Sequence, residues 1–259
     1  MKTGKLYGVG VGPGAPDLVT LRALHVMRSV DVLALPRSND WGESMAWKIV
    51  APHLENEEKA EKLFLTFPMN KDPERLKPAI GKALDAIGER LAAGKSVAFV
   101  TEGDPSLYST FIYVAAEARR RFAGLDVEIV PAVSSPMAVA AVTGVPLADG
   151  QERIAIIPGN YGVGDLDGIL RAFDTIVLMK IGPEMPQILA ALERCGLVDR
   201  AVYVAKATMA EQRIVRDLSS VSAERGDCFA MVIVSKKERA GVLVGESPHV
   251  VIDVVGAQS

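Results

Sequence analysis

Residues 8–23 read GVGVGPGAPDLVTLRA, a glycine- and proline-rich turn between an apolar strand-like run and a helix-like one. Such turns often hold phosphate, because free N–H groups at a helix start attract anions. Gly10 to Ala15 meets the pattern G-x-G-x-x-A of dinucleotide sites, and Asp31 follows at about the expected distance. Its position argues against that use. Asp31 opens the apolar run DVLALP, whereas a ribose-binding acid belongs at the carboxyl end of a strand. Pro13 and Pro16 also remove N–H donors that a pyrophosphate would need. The phosphate-loop pattern G-x-x-x-x-G-K-[ST] does not occur. A dinucleotide-dependent oxidoreductase is thus the rival reading, and a plain strand-to-helix turn is the bland one.

Other chemistries find little support. Cys195 and Cys228 are the two cysteines, and they form neither a C-x-x-C pair nor a disulfide framework. His25, His53 and His249 are scattered, without the spacing of metal ligands, so no protein-bound metal is expected. No Ser-His-Asp or Cys-His arrangement suggests itself. The net charge of −3 and a pI near 5.7 argue against nucleic acid, whose phosphates call for a basic face. They leave room for a local basic pocket. Apolar runs such as FAMVIV suit buried strands and are too short to span a bilayer, so neither a membrane partner nor a signal peptide is expected. The expected location is cytoplasmic.

These residues need elements to hold them. With 259 residues and 49% hydrophobic content, the chain can bury a sizeable core. KLYGVGV, DVLALP, KLFLTF, SVAFVT and DVEIV read as strands. Between them, LRALHVMRSV, ESMAWKIVAPHL (helical until Pro52), PERLKPAIGKALDAIGERLAAG and FIYVAAEARRRF read as helices. That alternation predicts a mostly parallel sheet with helices on both faces. After PAVSSPMAVAAVTGVP come the strand-like RIAIIP, TIVLMKI, RAVYVAKAT, QRIVRDL, FAMVIVS and HVVIDVV, with a helix near PQILAALERCG. Strands with few helices between them predict a mixed sheet. The reading is α/β with two domains, residues 1–132 and 133–259.

The chain resembles the tetrapyrrole methylases, which transfer a methyl group from S-adenosylmethionine. The segments that carry the likeness are GVGPGAPDLVTLRA, VAFVTEGDPSLYST, PAVSS, TIVLM and ATMAEQ, in the family's order and from end to end of the chain. It departs in having Ala15 where the family usually has Asp, and Ala132 where glycine is common. ALPRSNDWGESMA, LTFPMNKDPERLK, GDPSLYSTFIY and IPGNYG look like the members that methylate precorrin-2, or its cobalt form, at the C-20 meso carbon in cobalamin synthesis. Methylation of another ring position is the alternative within the family.

The resemblance implies S-adenosylmethionine as cofactor, in a cleft between the domains, with S-adenosylhomocysteine as product. By matching position it assigns Pro13, Gly103, Asp104, Pro105, Ser134, Ser135, Met179, Ala207 and Thr208 to the cofactor. Asp104 is the catalytic candidate, although the ring itself is the carbon nucleophile. The substrate is an anionic tetrapyrrole whose carboxylates call for basic partners. Arg37 after DVLALP and Lys180 beside Met179 are candidates, with Tyr108 offering an aromatic face. A homodimer is typical of the family.

Overall fold

The computed structural model describes residues 4–39, 41–54, 59–68, 72–159, 164–221 and 229–237. Met69, residues 160–163 of and beyond IPGNYG, Cys228, His249 and the strand-like HVVIDVV lie outside that set. The chain divides into two compact units, Met1–Ser135 and Pro136–Ser259.

In the first unit, β1 (Leu6–Gly10), β2 (Val32–Arg37), β3 (Glu61–Thr66), β4 (Val97–Thr101) and β5 (Val127–Val130) form one sheet. Its order is β3-β2-β4-β1-β5 and every pairing is parallel. Side chains alternate along each strand, so one sheet presents two apolar faces. Val9, Leu33, Leu35 and Val100 face α1 (Leu21–Ser29) and α2 (Met45–Leu54). Leu6, Val32, Ala34 and Phe99 face α3 (Pro73–Ala92) and α4 (Phe111–Arg121). Gly8 allows close approach of α4: a Cβ there would lie 2.1 Å from the Phe111 ring. All five carboxyl ends share one edge. The chain leaves β2 toward β3 but leaves β4 toward β5, and open sheets bind ligands where such connections diverge.

Helix α5 (Ser135–Thr143) starts at the last residue of the first unit and runs into the second, which carries a mixed sheet of order β6-β7-β10-β8-β9. Its strands are β6 (Ile154–Pro158), β7 (Thr175–Met179), β8 (Ala201–Ala205), β9 (Arg213–Val215) and β10 (Ala230–Ser235). Among the described strands of this unit only β6 and β7 pair in parallel, joined through α6 (Leu166–Ala172). Leu170 of α6, with Ile188 and Leu192 of α7 (Met185–Cys195), packs on Ile176, Leu178, Val232 and Val234.

Local structure departs from expectation in three places. Helix α2 runs through Pro52 to Leu54, because a proline in the last turn removes a single helical bond. Helix α5 forms in a proline-punctuated stretch, since Pro136 sits in the first turn, where its missing N–H has no helical partner to lose. Helix α6 emerges from a glycine-rich stretch because the Asp165 side chain caps it, accepting from the Gly168 amide at 2.9 Å.

Candidate active site

The two glycine turns of the first unit meet each other. Past the end of β1, Val11 N donates to Thr101 O at 3.0 Å, and Gly12 and Gly103 then form an isolated antiparallel bridge. Gly103 N donates to Gly12 O at 2.7 Å. Both glycines have left-handed backbone, φ +84° and +62°. Gly10 has no room for a side chain: a Cβ would lie 2.6 Å from Gly103 O, 2.7 Å from the Ala132 Cβ and 2.8 Å from the Pro105 ring. Gly10 and Gly12 of GVGPGA are thus consumed in packing one turn on another. Pro13 follows Gly12 in the chain, and the turn continues as a short 3-10 helix, Pro16–Leu18, before Thr20 caps α1.

Asp104 fastens this cluster. Its Oδ1 accepts from the Ser106 amide at 2.8 Å and from the Ser106 hydroxyl, and its Oδ2 accepts from the Ala132 amide at 2.9 Å. Burial pushes the carboxyl upward in pKa, but those hydrogen bonds outweigh it and hold the group below its ordinary value. Asp104 is therefore an anion at neutral pH with both oxygens engaged, and it links the loop after β4 to the residue two beyond β5. Ala132 meets the bond without left-handed backbone. A Cβ on Gly103 would find its nearest neighbour, Ser135 Oγ, at 3.8 Å, so Ser135 stands over the turn.

The rest of GDPSLYST is equally constrained. The Ser109 hydroxyl is buried, pairs with Thr101 Oγ1 at 3.0 Å and accepts from the Phe111 amide at 3.2 Å, which starts α4. Between them Tyr108 is half-buried with φ +50°. Arg37 ends β2 at the same sheet edge. Its Nε donates to Thr66 Oγ1 at 3.3 Å and its guanidinium lies 5.5 Å from the Phe64 ring centre, contacts directed toward β3.

Asp31 is placed as the sequence argument required. It lies at the opposite, amino-terminal edge, where its carboxylate accepts from the Ser96 amide at 2.8 Å and hydroxyl at 2.7 Å. Those bonds hold its pKa below the ordinary value.

The second unit presents its own loop edge. Met179, almost fully buried, closes β7 between Pro158 and Met231. Lys180 follows with φ +53°. After β8, Lys206 (φ +50°) and Thr208 (φ +69°) flank the buried Ala207, and the Thr208 amide donates to Gln212 Oε1 at 2.7 Å. Glutamine at the end of ATMAEQ thus closes the turn its motif begins. The strands read through TIVLMKI and RAVYVAKAT stop at Met179 and Ala205, because left-handed residues cannot continue a ladder.

The structure brings Gly103, Asp104, Pro105 and Ser135 together in the first unit, with Pro13 next in the chain to the bridged Gly12 and Ser134 just before the Ser135 start of α5. It brings Ala207 and Thr208 together in the second, at the loop edge where Met179 and Lys180 also lie. Unforeseen were the packing role of Gly10, the Ala132 amide on Asp104 and the Thr101–Ser109 pair. Spacing alone gives no signal for any of these, as each is a contact across the fold.

Residues 5–221 match the family described as Tetrapyrrole (Corrin/Porphyrin) Methylases. The cobalt-precorrin-2 C(20)-methyltransferase of Salmonella typhimurium is 34% identical over 235 residues, covering 90% of this chain and 97% of that protein. A probable cobalt-precorrin-2 C(20)-methyltransferase of Methanocaldococcus jannaschii is 39% identical over 203 residues, 77% of this chain and 84% of that one. Among solved structures, the cobalt precorrin-4 methyltransferase CbiF superposes with a TM-score of 0.67 at 26% identity, covering 89% of this chain and 94% of that one. The five sequence segments fall on strands and on the loops that follow them, the match is nearly end to end, and the chain belongs to the tetrapyrrole methylases.

Proposed function

We infer that this protein is an S-adenosylmethionine-dependent methyltransferase that methylates precorrin-2, or its cobalt form, at C-20 in cobalamin biosynthesis. The observation that carries this reading is the 34% identity extended over 97% of the Salmonella C(20)-methyltransferase. Any cobalt arrives as part of the substrate, so the enzyme needs no ligand set for it.

S-adenosylmethionine, when bound, supplies an electrophilic methyl group. Methyl transfer to carbon is an in-line displacement, and the chain's task is to align two molecules, which can lower the barrier by roughly 7–11 kcal/mol. Gly103 fits such a ligand: its left-handed backbone is open, with Ser135 Oγ, at 3.8 Å, the nearest atom a Cβ would meet. Pro13, Gly103, Asp104, Pro105, Ser134, Ser135, Met179, Ala207 and Thr208 serve the cofactor. Asp104 acts as a positioning residue, because its two oxygens already hold Ser106 and Ala132. Arg37, Lys180 and Tyr108 serve the ring. The protein works in the cytoplasm as a homodimer, which analytical ultracentrifugation tests directly.

The deciding experiment is turnover of metal-free and cobalt-bearing precorrin-2 with labelled S-adenosylmethionine, with the methyl position located by NMR. A single new methyl at C-20 is expected from at least one form. Methylation elsewhere on the ring overturns the C-20 assignment, and failure to bind S-adenosylhomocysteine in calorimetry overturns the methyltransferase reading.

A further inference from the structure

Trp41 stands almost wholly in water. It is 97% exposed, more than any other large apolar side chain among the described residues. Trp47, in α2, is half-buried against the core of the first unit and has Lys62 Nζ 4.1 Å from its ring centre. The turn that carries Trp41 is tied on both sides. The Trp41 amide donates to Asn39 Oδ1 at 3.1 Å, and the Gly42 amide donates to Asn39 O at 3.3 Å. Ser44, 1% exposed, then starts α2 by accepting from the Trp47 amide at 3.3 Å. A turn built this way holds the indole out instead of folding it back on the protein. An aromatic side chain so displayed offers a large contact area to a partner.

The turn leaves the carboxyl end of β2, which neighbours β4 in the sheet. The ladder between β2 and β4 ends at Ala34–Phe99. Beyond that pair β2 keeps to β3 as far as Arg37–Thr66, and β4 keeps to β1 as far as Thr101–Gly10. The helices that follow then diverge. Helix α2 packs on the face of Leu35 and Val100, and α4 packs on the face of Ala34 and Phe99. The carboxyl edge is therefore split between β2 and β4, with the Trp41 turn on one lip and Gly103 and Asp104 on the other. Such a split is where an open parallel sheet takes its ligand.

We propose that Trp41 is a substrate-binding residue whose indole receives the apolar face of the tetrapyrrole. This rests on the tetrapyrrole reading given above. A ring with carboxylates around its rim and apolar faces needs two kinds of partner, cations for the rim and an uncharged flat surface for a face. The exposed indole supplies the second, on the lip across from Gly103 and Asp104. Stacking there covers one face of the ring and leaves the other to the methyl donor.

The test is Trp41→Ala with Trp41→Phe beside it. Neither variant takes packing from the core, so both should keep the wild-type melting temperature. KM for the ring should rise about three- to tenfold in Trp41→Ala, the scale of one aromatic stack, and Trp41→Phe should recover most of it. Affinity for S-adenosylhomocysteine should stay at the wild-type value in both. In Trp47→Phe, where Trp41 is the sole tryptophan, added ring should shield the indole from acrylamide and lower its quenching constant about twofold or more. Wild-type KM in Trp41→Ala overturns the proposal, and so does unchanged access of acrylamide. Weakened S-adenosylhomocysteine binding in Trp41→Ala also overturns it, by assigning the indole to the cofactor. A lower sedimenting mass for Trp41→Ala overturns it too, by assigning the indole to a contact between subunits. Absence of ring methylation by the wild-type enzyme overturns the underlying reading itself.

Discussion

The Asp104 carboxylate accepts a 2.9 Å hydrogen bond from the Ala132 amide, so one side chain ties the loop after β4 to the segment after β5. Its other oxygen holds the Ser106 amide at 2.8 Å. The relation turns a motif acid into the anchor of two loops.

Removing that anchor should cost both stability and activity. Asp104→Ala strands the partly buried Ala132 amide, for a loss of about 1–3 kcal/mol in urea unfolding. Methyl transfer and S-adenosylhomocysteine affinity should fall together, and Asp104→Asn, which keeps one carbonyl acceptor, should lose less. Wild-type turnover by Asp104→Ala removes the residue from the site. The pH dependence follows from the lowered pKa. The stabilisation is complete above the unfolded value, about pH 4, and is lost as pH falls through the folded one. Asp104→Asn should flatten that acid limb.

Gly10→Ala should be among the most damaging small changes in the first unit. Its Cβ would lie within 2.8 Å of Gly103 O, the Ala132 Cβ and the Pro105 ring, none of which is a flexible side-chain end. Overpacking of this kind costs about 1–3 kcal/mol, and the displaced turn should weaken S-adenosylhomocysteine binding. Gly164→Ala is the control: nothing lies within 4 Å of its Cβ, and stability should hold or improve by about 0.4–1 kcal/mol. Equal melting temperatures for the two variants would refute the packing argument.

Gln212→Ala should weaken S-adenosylhomocysteine binding several-fold with little change in overall stability. The Thr208 amide loses its 2.7 Å acceptor, and the left-handed turn loses its closure. Gln212→Glu keeps the acceptor and should bind nearly as the wild type does. Calorimetry reads both, and an unaffected Gln212→Ala counts against a cofactor role for Thr208.

Asp31→Asn should separate the two edges of the first sheet. It weakens the bonds from Ser96 and should lower stability at neutral pH. The difference from wild type should shrink as pH drops below about 4, where the lowered pKa of Asp31 is titrated. Ligand binding should not change, and a large loss of it would contradict the placement of the site at the carboxyl edge.

Much of this fold is legible in the residues themselves. Apolar runs bounded by glycine and proline mark the strands, and the 3.6-residue stripe of Leu84, Ile87 and Leu91 marks α3, because burial imposes its period on the sequence. The positions of Gly103, Asp104 and Thr208 could be read from segments in a familiar order. Their neighbours could not. That Gly10 lies against Gly103, that Ala132 binds Asp104, and that β10 lies between β7 and β8 depend on strand order and register. Periodicity records only which side of an element is buried, whereas each of these relations joins elements far apart in the chain. The sequence by itself thus determined the family and the loops that carry the site, and the tertiary structure decided what each residue there touches.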